Sequence, residues 1–202
     1  MPVRAKSPSS VRDVHRRSIP AWVHVGVLCA GLISPAARAL EVLRADAASD
    51  KGVFRIHFEA ILAAPVADVA AVLGDYANFG KLDSRIRRVE LLGLETDGAV
   101  LMRTLIQACA GVFCRTVERV ERVQRVPAGQ VAEVVPARSD IRRGVARTRW
   151  QQEGAGTLVR YEAEFEPDFW VPGFIAQHAG VKELRESTLR MFKSVEREAN
   201  DR

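Results

Sequence analysis

No segment of this 202-residue sequence repeats, and its longest apolar run, Ala21 to Ile33, is short. As a helix that run would rise about 20 Å, against a hydrocarbon core of roughly 30 Å, which argues against a spanning helix. Cysteines number three and histidines four, so a site built on these metal ligands has little to draw on. There is no glycine-rich phosphate loop, no Gly-x-Ser-x-Gly elbow and no His-Glu-x-x-His pair. Nucleotide-binding loops and the readable hydrolase and metalloprotease centres are thereby excluded.

What is present at the front reads as an export signal. Residues 1–20 are basic, the apolar run follows, and Ser34 to Ala39 (SPAARA) ends in a small-x-small cleavage pattern. Cleavage is expected near Ala39-Leu40, leaving residues 40–202 as one domain in the periplasm or outside the cell. A buried helix or membrane anchor is the alternative. Arg16-Arg17, with Ile19 after it, keeps a twin-arginine route open beside the general secretory one. Leu28 before Cys29 fits a lipidation site poorly.

Removal of residues 1–39 changes the charge argument. They hold six of the 30 basic residues and one of the 25 acids, so the remainder carries 24 of each and no formal net charge. The sequence pI near 9.5 therefore gives no reason to expect nucleic acid as a partner, and membrane contact is expected to be transient only. Two cysteines remain, Cys109 and Cys114, an even number suited to an oxidising compartment. Placed around Ala110-Gly111-Val112-Phe113, they oppose each other as the last strand pair of a hairpin, where Cα separations of about 4.5 to 5.5 Å permit a disulfide. Zinc is the rival reading, but beyond residue 39 the only histidines are His57 and His178. No metal or cofactor is expected.

Along residues 40–202 the pattern is α+β. Val53 to Leu62 alternates like a half-buried strand, and Pro65 opens a short helix to Leu73 with Val69, Val72 and Leu73 on one stripe. A second helical turn covers Tyr76 to Leu82. From Arg85 to Phe165 about six antiparallel strands follow, separated by turn signals such as Asp97-Gly98 and Glu153-Gly154-Ala155-Gly156. Arg115 to Val126 has valines every three residues; we read it as a strand whose phase a bulge shifts once. From Val171 to Asn200 the spacing is helical, with Phe174, His178, Val181, Leu184, Met191, Phe192, Val195 and Ala199 on one stripe and a kink expected near Gly180.

Pairing across the last hairpin puts Thr148, Trp150, Val159, Tyr161 and Phe165 on one face and Arg147, Arg149, Glu162 and Glu164 on the other. The acids Glu162 and Glu164 thus read as a solvated face rather than a catalytic pair. His178 sits on the helix stripe, where a hydrogen-bonded core histidine, a ligand contact and an acid/base role are all open.

The order of strand, two short helices, antiparallel meander and long last helix resembles the START/Bet v 1-like superfamily, including its polyketide cyclase/dehydrase and coenzyme Q-binding groups. The likeness is carried by AAPVADVAAVLGDYANFGKLDSRIRRVELLG, residues 63–93, with Ala64-Pro65, Val69 and Asp75-Tyr76 at characteristic places, and by EFEPDFWVPGFI from Glu164. One departure is Ala70, where many relatives carry an aromatic. The resemblance implies a helix-grip fold: a curved antiparallel sheet of about seven strands gripping the last helix, with a cavity between. Its walls would include Thr148, Trp150, Val159, Tyr161, Phe165, Phe174 and His178 as ligand-binding residues. The expected function is to bind or carry an apolar or amphipathic molecule such as a lipid, quinone or polyketide. Alternatives are a cyclase or dehydrase and an interaction module with a filled core.

Overall fold

The computed structural model describes residues 40–110 and 113–202; the expected export signal, residues 1–39, lies outside them. Eight antiparallel strands form one open sheet in the order β1-β2-β8-β7-β6-β5-β4-β3. They are β1 (Glu41–Asp50), β2 (Val53–Leu62), β3 (Ile86–Leu94), β4 (Val100–Ala110), β5 (Phe113–Val126), β6 (Gly129–Val134), β7 (Ile141–Glu153) and β8 (Gly156–Pro167). Between β2 and β3 lie α1 (Val66–Leu73) and a 3-10 turn, Tyr76–Lys81. The chain closes with α2 (Gly173–Ile175), a π-helical turn at Ala176–Gly180 and α3 (Val181–Asn200), which run on as one helix.

The strand count exceeds the expected seven because β1 escapes the sequence pattern. Its residues EVLRADAASD show no alternation of large apolar side chains, and the strand is mostly exposed at the sheet edge. Only Ala45 and Ala47 turn toward the core. What makes it a strand is its ladder to β2, from Glu41 opposite Ile61 to Asp50 opposite Val53.

The expected pairing of the last hairpin holds, with Trp150 opposite Val159 and Thr148 opposite Tyr161. The expected bulge in β5 does not occur: its register runs unbroken from Val100–Val123 to Ala110–Phe113 against β4. The three-residue spacing of the valines has a simpler cause. Val117 and Val123 lie on the concave face, while Val120 is buried from the other side.

Sheet and helix meet in a dense core at one end. Ile56, Phe58, Leu62, Val159, Phe192 and Val195 are all at most 2% exposed. Phe58 and Phe192 stack at 5.0 Å between ring centroids, and Tyr161 meets Phe192 edge-on at 5.8 Å. Burial of such side chains is worth about 1.5–3 kcal/mol each. Helix α1 seals this end with Val69, Val72 and Leu73, and the Thr157 hydroxyl donates to the carbonyl of Ala64 at 2.7 Å.

Candidate functional site

Toward the other end of the helix, sheet and helix enclose a cavity of about 640 Å³. That falls within the roughly 300–1,000 Å³ usual for small-ligand sites. The sequence makes this room in a specific way. Ala132 on β6 pairs with Ala146 on β7, which pairs with Ala163 on β8, so three alanines stand abreast on the concave face. Beside them is Gly144, where an added Cβ would come within 2.9 Å of Val134 and 3.1 Å of Phe165. Met102 and Ile106 of β4, Val117 and Val123 of β5, and Ile175, Leu184 and Met191 of the last helix complete a largely apolar wall.

Thr148, Tyr161 and Phe165 line the cavity, and Phe165 stacks on Phe54 at 5.3 Å. Trp150 and Val159 share the expected sheet face but lie one step beyond the cavity, inside the dense core. Phe174 and His178 are turned the other way. Phe174 is 70% exposed, and His178 is exposed with its Nδ1 3.0 Å from the Phe174 carbonyl oxygen. The reason is the π-helical turn between α2 and α3. A stripe drawn at α-helical spacing back from Leu184 reaches Phe174 and His178, but the wider turn delays the phase and brings Ile175 and Ala176 inward instead. In place of the kink expected near Gly180, the helix carries this wider turn, which ends at Gly180. A Cβ on Gly180 would stand 2.9 Å from the Phe54 ring, so the residue lets the helix lie close on the sheet.

Two of the charged residues lining the cavity, absent from the sequence expectation, form a pair on β5. With Val117 and Val123 inward, strand parity also turns Arg119 and Glu121 inward, and both line the cavity. Arg119 Nε lies 3.0 Å from Glu121 Oε2, and Glu121 is 5% exposed. The nearby Tyr161 hydroxyl is held above its ordinary pKa by burial, with Glu121 adding to the rise and Arg119 opposing it. Tyr161 therefore stays a neutral donor. Deeper in, Tyr76 donates to Gln130 Oε1 at 3.1 Å, and burial raises its pKa as well.

The cavity reaches the surface beside Trp170, which lines it yet is 82% exposed. Around this opening, Cys109 and Cys114 form a disulfide with Cα atoms 4.1 Å apart, as their opposed register allows. Pairing continues one step past them to Ala110 and Phe113, so the cysteines are not the last strand pair as expected. The Arg115 guanidinium lies 4.3 Å from the centre of the Phe169 ring, tying the β4–β5 tip to the segment before the last helix. On the other side Arg85 bonds both Asp83, at 2.6 Å, and Glu183 of α3. Burial alone would raise Asp83, but hydrogen bonds from the Arg85 side chain and N–H, with the charges of Arg85 and Arg190, outweigh it and hold the carboxyl below its ordinary value.

No curated protein matches the sequence. Solved structures do. A START superfamily protein from Mycobacterium smegmatis aligns with a TM-score of 0.60 at 14% identity, over 73% of this chain and 97% of its own. The ZhuI aromatase/cyclase from Streptomyces sp. R1128 gives 0.56 at 18% identity, over 74% and 95%. A STAR-related lipid transfer protein from Xanthomonas axonopodis gives 0.56 at 18%, over 77% and 98%. At such identities the likeness is one of fold, the helix-grip arrangement. The family model described as polyketide cyclase/dehydrase and lipid transport matches residues 54–196, well over half of the chain, and the chain belongs to that family.

Proposed function

We propose that this protein binds and carries an apolar or amphipathic small molecule, of lipid, quinone or polyketide type, in the cavity between sheet and helix. The observation that carries this reading is the cavity of about 640 Å³ floored by three alanines on adjacent strands, where bulkier side chains would have closed the core. A module with a filled core would have no need of such a floor. Membership of a family whose description includes lipid transport supports the same reading.

The cell compartment is part of the proposal: residues 1–39 direct export, and the disulfide suits an oxidising space. Native mass spectrometry of protein recovered from the periplasm tests both parts. The expected spectrum shows a chain beginning near Leu40 with a bound small molecule. An intact Met1 would reject export, and a cavity that stays empty and takes up no apolar probe would reject carriage. Thr148→Trp should lower uptake before it lowers folding.

A cyclase or dehydrase is favoured by one observation, the carboxylate of Glu121 beside Arg119 and Tyr161 in the cavity. There a carboxylate and two hydrogen-bond donors, of which Tyr161 can also give up a proton, face one space. Turnover of a poly-keto substrate that vanishes in Glu121→Gln while binding persists would establish it.

A further inference from the structure

We propose that the polar end of the ligand is uncharged, a hydroxyl or carbonyl rather than a carboxylate or phosphate. This rests on the carrier reading and adds the chemistry of the head group. The argument comes from how charge is arranged in the cavity wall. Arg119 could by itself recruit an anion, but Glu121 sits 3.0 Å from it on the same strand face. At the opening, Arg85 is bonded by both Asp83 and Glu183. Arg115 has Asp140 at 3.8 Å, and Glu164, whose side chain lies on the opposite face of the sheet, has Arg55 at 2.8 Å. Among the described residues, every charged side chain of the wall thus has an opposite partner, and no cation is left over to compensate an anionic ligand.

A carboxylate brought to Arg119 would leave water, meet a cation already neutralised, and lie beside the Glu121 carboxylate. Burying net charge in this way costs more than a shared arginine returns. A hydroxyl meets no such opposition. It can accept from the Arg119 guanidinium and donate to Glu121, while the Tyr161 hydroxyl offers a further neutral donor, and no net charge is buried. A ketone or amide carbonyl can accept from Arg119 and Tyr161 in the same way. The ion pair acts as a polar platform, with the apolar remainder of the ligand over the alanine floor.

Matched probes test this directly. Dodecan-1-ol and dodecanoate share a chain and differ in head group, and each is titrated against purified protein by displacement of a fluorescent apolar probe, at a pH where the carboxylate is ionised. The alcohol should bind at least about tenfold more tightly than the carboxylate. In Glu121→Gln, which leaves Arg119 uncompensated, the ratio should move by about tenfold or more toward the carboxylate. Equal binding, or preference for the carboxylate, in the unaltered protein overturns the proposal whether or not the variant folds. A ratio unchanged in a folded Glu121→Gln variant overturns the role given to the pair. Binding of neither probe, nor of the fluorescent reporter, removes the carrier reading itself, a failure distinct from the other two.

Discussion

The two ends of the space between sheet and helix are made from the same strands and the same helix, yet one is solid and the other hollow. At the solid end β2, β7 and β8 send in Phe58, Trp150 and Val159, and α3 answers with Phe192 and Val195. Four residues along β7 from Trp150, past Thr148, and two along β8 beyond Tyr161, the inward positions become Ala146 and Ala163. Strand pairing continues across the boundary while the inward side chains become smaller. Stability and binding are therefore separated in space, and a substitution should act on one with little effect on the other.

Removing Phe192 is the strongest way to break this division. Phe192→Ala should cost about 3–5 kcal/mol, because its ring is fully buried against Phe58 and Tyr161. Urea unfolding measures it, and a cost below about 1 kcal/mol would show that the solid end does not hold the fold. Next in size is the disulfide at the hollow end. It closes a loop of sequence separation 5, for which the chain-entropy model gives about 2 kcal/mol. Reduction should lower the melting temperature modestly and leave the domain folded; global unfolding would mean that the tip supports more than itself.

Filling the floor sharpens the comparison from the other side. Ala146→Leu should reduce probe binding about tenfold or more while unfolding free energy changes by less than about 1.5 kcal/mol. Loss of stability as large as that of Phe192→Ala would show that the hollow end is as tightly specified as the solid one. The smallest effect is expected from acid. Asp83 has its pKa lowered in the fold, so its contribution is present above the unfolded carboxylate pKa, about 3.9, and is lost as pH falls through the lower folded value. Asp83→Asn should flatten that part of the stability profile, as followed by thermal melts in the acid range. An unchanged acid limb would show that the Asp83–Arg85 contact contributes no measurable pH dependence.

Much of the fold was legible because its elements carry their own periodicity. Val53 to Leu62 and the hairpin around Glu153 to Gly156 alternate cleanly, so register and facing could be read, and the opposed cysteines followed from counting. Strand β1 was not legible, since an exposed edge strand of small and charged residues has no pattern apart from its partner. In β5 the valines concealed the parity: Val120 belongs to the convex face, and a single phase shift laid over Val117, Val120, Val123 and Val126 hides Arg119 and Glu121, a charged pair whose members both line the cavity. Phe174 and His178 were misplaced because a π-helical turn leaves no mark on a stripe assumed to have constant pitch.

That turn also divides the last helix into two independently adjustable lengths. A regular helix locks the facing of each residue to all the others, so rotating the residues at the opening would rotate Phe192 and Val195 out of the core. One wider turn at Ala176–Gly180 absorbs the mismatch. The segment from Trp170 to Ile175 can then be set to suit whatever passes through the opening, while α3 keeps the facing that the core requires, and insertion or loss of a single residue within the turn would re-aim the opening without unseating the helix.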